Sequence, residues 1–251
     1  MTEDQDLVEG KSRKGTWPQA LGSFAVSVLL LLTFRWVAFE PYVIPSGSML
    51  PTLKVLDFIY VNKFSYGLRL PFSSQWLWER DLPRRCDVAV FRSQTTEGQF
   101  VIKRVMGLPG EKVELLESGR IRIDDKLLPI ERIGENDDSV LSRESCDTGA
   151  GGGGRTHVMQ TSRLLQDLEV DPVVYAIVVP PGHLVLFGDN RHESADSRVW
   201  GALPREELLG QALGIWLSCE DSMSGLPRVC NPATIRWDRM FQDLDKSTEG
   251  T

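Results

Sequence analysis

Phe100-Val-Ile-Lys-Arg-Val-Met106 sets the β character of this chain and raises its main chemical question. Three β-branched residues in seven favour an extended strand. Strand alternation then puts Val101, Lys103 and Val105 on one face and Ile102, Arg104 and Met106 on the other. A lysine between valines on an apolar face is out of place, because burying an ammonium is costly. Desolvation lowers a lysine pKa, so such an amine is neutral near pH 8 and can accept a proton. A fall of ~2 units from ~10.4 costs roughly 2.7 kcal/mol of stability, tolerable only for a reason. The plain alternative is a solvated lysine on an edge strand.

Working outward, short β-branched runs cut by Gly and Pro recur on both sides. Asp57–Lys63, Asp87–Phe91, Lys112–Leu116, Gly119–Asp124, Val173–Val179, Leu184–Phe187 and Ala212–Leu217 all read as strands. Glu117-Ser-Gly119 reads as a hairpin turn. Helical periodicity is scarce; Pro204–Leu209 suits one or two helical turns. The fold class is mainly β, a folded-over or barrel-like antiparallel assembly. Residues 131–170 depart from the pattern, with five glycines between Gly149 and Gly154. That composition suits a flexible linker or variable insertion and suggests no chemistry.

Two further segments carry reactive side chains. Ile44-Pro-Ser-Gly-Ser-Met-Leu-Pro-Thr-Leu53 sets two serines around a glycine and between two prolines. A serine hydroxyl needs a base to become a nucleophile, and Lys103 could supply it. Gly188–Gly201 packs acids, arginines and hydroxyls into a loop after a strand. Read functionally, Ser194 is a hydrogen-bond partner for the lysine, with Asp196 and Arg198 as a brace. Read structurally, the serines sit in an ordinary turn and the loop is merely salt-bridged.

At the N-terminus, Gly15 to Phe34 holds 20 consecutive uncharged residues. At ~1.5 Å per residue this reaches ~30 Å, the thickness of a bilayer's hydrocarbon core. Lys11, Arg13 and Lys14 precede it, which favours a cytoplasmic N-terminus and a body on the far side. Arg35-Trp-Val-Ala-Phe-Glu40 is a poor leader-cleavage site, so the span is read as an uncleaved anchor. The expected organisation is a short cytoplasmic tail at 1–16, a transmembrane anchor at 17–39 and an extracytoplasmic β body at 40–251. The chain is 41% hydrophobic and 25% charged, as a folded protein is. Its net charge of −7 lies entirely beyond residue 39, as 24 bases against 31 acids. Such a surface repels phosphate, so nucleic acid is an unsuitable partner. No Cys-x-x-Cys pair and only three histidines leave little material for a metal, and no cofactor is expected.

The segments Pro45–Leu53, Asp57–Gly67, Asp87–Phe91, Ile102–Gly110 and Gly188–Gly201 together resemble the bacterial type I signal peptidases, membrane-anchored Ser/Lys endopeptidases. They occur in the family's order behind an anchor in the family's place. The resemblance implies a two-lobed, mostly antiparallel β catalytic domain after a single transmembrane helix. It implies Ser48 as nucleophile and Lys103 as general base, with the Ser46 hydroxyl and the Ser48 N–H as oxyanion hole. Ser194 would hydrogen-bond the lysine, and Asp196 and Arg198 would support the site. Ile44, Met49, Leu53, Val101 and Ile102 fall where the family builds apolar pockets for small residues one and three positions before the cut. Implied partners are signal peptides of exported preproteins, the lipid bilayer and the secretion translocon, at the bacterial inner membrane. Leu56 and Cys86 stand where the family usually has glycine, and His192-Glu193 replaces a more common Asp-Asn.

Other residues keep alternatives open. His192 could pair with Ser48, oriented by Asp196. His157 and His183 read as structural or solvent-exposed. Trp36, Trp76 and Trp78 suit either a lipid interface or core packing. Cys219 and Cys230 flank a hairpin-like loop, and an extracytoplasmic location permits a disulfide, though unpaired packing explains them equally. Cys86 and Cys146 have no argued partner.

Overall fold

The computed structural model describes residues 17–69, 76–93, 99–147, 155–165, 168 and 170–244. It divides into two units, Met1–Val37 and Ala38–Thr251. Helix α1 (Trp17–Ala38), which has no acidic residue in its first turn, lies in the first unit but for its last residue. Its apolar side chains do not gather on one stripe, and Leu21, Phe24, Val26, Leu29, Leu30 and Leu31 are all exposed. Among the described residues no helix is long and apolar enough to cross a membrane. The side chains described for α1 end at Leu31, so the expected span lies partly outside them, as do the 1–16 tail and the Trp36 side chain.

The second unit is almost wholly β. In chain order its first strands are β1 (Phe39–Val43), β2 (Asp57–Asn62), β3 (Gly67–Arg69), β4 (Trp76–Glu79), β5 (Val88–Arg92) and β6 (Phe100–Gly107). Next come β7 (Lys112–Leu116), β8 (Ile121–Ile123), β9 (Lys126–Leu127), β10 (Ile130–Glu135), β11 (Ser139–Ser145) and β12 (Thr156–Ser162). The last are β13 (Val173–Val178), β14 (His183–Phe187), β15 (Leu203–Pro204), β16 (Leu208–Ser218), β17 (Ser222–Met223) and β18 (Leu226–Cys230). A seven-stranded sheet runs β1-β2-β16-β5-β6-β14-β15, beside a four-stranded sheet β13-β7-β8-β9 and a three-stranded sheet β10-β11-β12. The named strands pair antiparallel throughout, for example β5 with β6 through Ala89 opposite Lys103.

The expected strands occur with ends moved by a few residues. The hairpin at Glu117-Ser-Gly119 joins β7 and β8, with Gly119 at φ 86°, a conformation open to glycine without a Cβ clash. The helix expected over Pro204–Leu209 is reduced to a single 3-10 turn at Arg205–Glu207, because Leu208 already begins β16. Leu208 is fully buried and pairs with Phe91, so packing overrides the local helical preference.

Residues 131–170 need a larger correction. Residues 148–154, which hold the glycine run, lie outside the described residues. What flanks them is ordered sheet: β11 and β12 pair over seven residues from Ser139–Ser162 to Ser145–Thr156. Alternate residues of β12 are buried, including His157, Met159 and Thr161. A composition skewed by glycines masked two strands whose alternation was present in the sequence. This sheet meets the active-site segment: Gln160 N–H donates to Asp189 O at 2.8 Å, and Arg191 N–H donates back to Gln160 O at 2.9 Å.

The two places where glycine is usual explain themselves in backbone geometry. Leu56 and Cys86 have φ of 64° and 70°, in the left-handed region. A Cβ there costs about 1–2 kcal/mol, and burial of the Cys86 side chain in the core offsets it.

Candidate active site

Strand β6 is central, and both of its faces are covered. Ile102 packs in an apolar cluster with Ile59, Val61 and Val90, whereas Val105 packs with Phe91 and Leu186. Lys103 is therefore buried, 3% exposed. Its Nζ lies 2.6 Å from Ser48 Oγ and donates to the Ile102 carbonyl at 3.1 Å. Burial pushes the amine down from 10.5 to about 8, against the pull of the Asp196 and Asp189 carboxylates. The desolvation cost expected from sequence is thus present, and a hydroxyl stands within hydrogen-bond reach of the amine.

Ser48 is delivered by a tight turn. Leu50 N–H donates to Gly47 O at 3.1 Å and Leu53 N–H to Met49 O at 2.9 Å. Asn190 grips this turn twice, through its N–H to Ser48 O at 3.1 Å and its Nδ2 to Gly47 O at 3.2 Å. Gly188 allows the approach, since a Cβ there would strike the Ser48 carbonyl and the Ser194 side chain. A cleft of about 560 Å³ opens over the pair, lined by Ser46, Gly47 and Ser48 and by Val101 and Lys103. Asn190, Glu193 and Ala195 complete the lining. Ser46 is exposed, with its hydroxyl 3.4 Å from that of Ser48. Chemically, this arrangement can activate a hydroxyl beside an uncharged amine, with a second hydroxyl and the Ser48 N–H nearby for a developing oxyanion.

Asp196 and Arg198 form a two-pronged pair, with Nε to Oδ1 and Nη2 to Oδ2 both at 2.8 Å. Asp196 is fully buried, caps the short helix α2 (Ser197–Trp200) and accepts from Gly188 N–H at 3.1 Å. Arg198 also donates to Ser194 O at 3.0 Å. Ser194 corrects its expected role. Its Oγ is buried without a hydrogen-bond partner, and the lysine amine spends its contacts on Ser48 and Ile102. The Ser194 side chain packs against Gly188, in space that a Cβ at Gly188 would fill.

The proposed pocket residues also divide. Val101 lines the cleft, and Ile44, Met49, Leu53 and Ile102 belong to one buried apolar cluster. His192 is not a rival base. Its Nδ1 accepts from Ser162 N–H at 2.9 Å and its Nε2 lies 2.8 Å from Glu117 O, so both nitrogens are engaged away from Ser48. His183 Nδ1 sits 2.9 Å from Pro181 O. Trp78 is exposed in β4 with the Arg80 guanidinium 5.6 Å over its ring, while the Trp76 side chain lies outside the described residues.

Sequence reasoning missed a buried ionic layer behind the lysine. Arg104, on the other face of β6, meets Asp189 through Nε at 2.7 Å and Nη2 at 2.5 Å, and Thr52 Oγ1 donates to the same carboxylate at 2.5 Å. His157, Glu144 and Arg191 continue it: Arg191 pairs with Glu144, and His157 Nε2 lies 3.3 Å from the same carboxylate. Burial and two neighbouring guanidiniums hold the His157 imidazole well below its ordinary range, so it is neutral. The available signal was Arg104 itself, a charge alternating with Ile102 and Met106 on the other apolar face of the strand.

Cys219 is bonded to Cys230, and Cys86 to Cys146, across 60 residues. Cys86, Cys146 and His157 are also placed closely enough to share a cation, but the two sulfurs are bonded to each other. No other such grouping occurs among the described residues.

Fold and site together define a β-rich serine hydrolase whose base is a lysine. The family model for signal peptidase, peptidase S26, matches residues 17–217, and the chain belongs to that family. Signal peptidase I of Pseudomonas aeruginosa is 35% identical over 85% of this chain and 77% of its own. The Pseudomonas fluorescens enzyme of that name is 35% identical over 85% and 78%. That of Rickettsia felis is 31% identical over 99% of both chains.

Proposed function

We propose that this chain is a membrane-anchored serine endopeptidase that removes N-terminal signal peptides from exported preproteins, cutting after small-x-small sites. One observation carries the reading: a buried amine with a pKa near 8 stands 2.6 Å from a hydroxyl that opens on a cleft. Neutral Lys103 takes the Ser48 proton as Oγ attacks the scissile carbonyl. The Ser48 N–H and the Ser46 hydroxyl stabilise the oxyanion. The Lys103 ammonium then protonates the leaving amine, and water activated by the same lysine clears the acyl-enzyme. Asn190 positions the nucleophile's turn, while Asp196 and Arg198 hold the loop that carries Asn190.

The anchor reading rests on the exposed apolar side chains of α1 and on the family match, which begins at residue 17. Two disulfides suit an oxidising compartment, in keeping with a catalytic body outside the cytoplasm of a bacterial inner membrane. The β10-β11-β12 sheet would be the smaller lobe of a two-lobed body. Contacts with lipid and with the secretion translocon complete the proposal.

The pH profile tests it. The base must be unprotonated, so kcat/KM for a preprotein should rise about tenfold per pH unit below the Lys103 midpoint. It should level off above about 8. A profile that is flat from acid to alkaline pH contradicts a lysine base.

A further inference from the structure

We infer that Glu193 makes this cleft select substrates with a cationic side chain beside the scissile bond. The inference rests on the peptidase reading and extends it to the substrate side chains that alternate with the small ones. Only two residues lining the cleft ionise, Lys103 and Glu193. Lys103 is buried against Ser48 and the Ile102 carbonyl and is uncharged in the form that takes the Ser48 proton, whereas Glu193 is exposed. The Glu193 backbone N–H donates to Asn190 O at 3.2 Å, but its carboxylate has no hydrogen-bond or ion-pair partner among the described residues.

Neighbouring charges are already matched. Arg198 is held by Asp196, Arg191 by Glu144 and Arg104 by Asp189. With Lys103 in that uncharged, reactive form, the Glu193 carboxylate is the one charge that the lining presents to a bound substrate. An extended substrate alternates its side chains from face to face. If the residues one and three before the cut face the apolar side near Val101, the second before it and the first after it face the other way. Apart from Lys103, Glu193 is the one ionisable residue of the lining that such side chains can meet. A lysine or arginine at either position then meets the carboxylate, and an acid there is repelled.

The test is a set of Ala-x-Ala substrates with Lys, Gln or Glu at the second position before the cut, and a parallel set varied at the first position after it. Both sets are cleaved by the full-length wild type and by Glu193→Gln and Glu193→Lys. At low salt the wild type should prefer Lys over Glu by about fivefold in kcat/KM at one or both positions, the scale of an exposed ion pair. Raising the salt should shrink the ratio. Glu193→Gln should bring it close to one, and Glu193→Lys should invert it. Cleavage with a wild-type ratio near one at both positions, or a ratio unchanged in Glu193→Gln, overturns the role of Glu193 and leaves the peptidase reading standing. If the wild type cleaves none of the peptides, the peptidase reading itself fails.

Discussion

Lys103→Ala should lower cleavage of an Ala-x-Ala preprotein by about a thousandfold or more, and Ser48→Ala should lower it at least as far. A positioned general base contributes about 10²–10⁴ in rate, and here the base also serves the leaving group and the deacylating water. The two side chains touch at 2.6 Å, so they act as one unit. The double variant should then be hardly worse than either single one. Folding is a separate matter. Bringing a lysine from 10.5 to about 8 opposes folding by about 3 kcal/mol at neutral pH. An apolar residue of similar length removes that cost. Lys103→Met should therefore be inactive and at least as stable as the wild type. Paired activity assays and melting curves separate lost chemistry from lost structure, and full activity in any of these variants contradicts the assigned roles.

Asp189→Ala should be strongly destabilising. Asp189 is 1% exposed and takes two hydrogen bonds from Arg104 and one from Thr52. Its removal strands a guanidinium that is itself 3% exposed. Leaving one member of a buried pair unmatched costs about 3–5 kcal/mol, which lowers Tm by roughly 10 °C in a chain of this size. Activity should fall too, because the next residue, Asn190, holds the Ser48 turn by two hydrogen bonds. Replacing both partners with apolar residues should recover much of the stability, since no charge is then left alone. An unchanged melting temperature in Asp189→Ala would show that the pair contributes little.

Much of this was legible in the chain itself. The alternation through Val101, Lys103 and Val105 marked the lysine as buried, and the Pro-Ser-Gly-Ser turn marked the hydroxyl. What sequence could not supply was distance. Ser194 has the right residue type in the right loop, yet its hydroxyl turns toward Gly188, a packing outcome that no local pattern encodes. Met49 and Leu53 read equally well as pocket or core, because both want apolar side chains, and both are buried in one apolar cluster with Ile44 and Ile102. Glu144 and His157 were hidden in a segment that glycine content made look structureless, although their strands alternate regularly. Cys86 and Cys146 stand 60 residues apart, and only the docking of β11 beside the turn before β5 brings them together.

The lysine's ionisation can be read directly. Full-length protein carrying ¹³C-labelled lysine, solubilised in detergent micelles, can be titrated by NMR. Lys103→Met identifies the Lys103 Cε signal by its loss. A midpoint near 8 is the predicted result, given the burial of the side chain. A midpoint at the ordinary lysine value of 10.5 would mean a solvated ammonium unable to take a proton from Ser48, and would contradict the account.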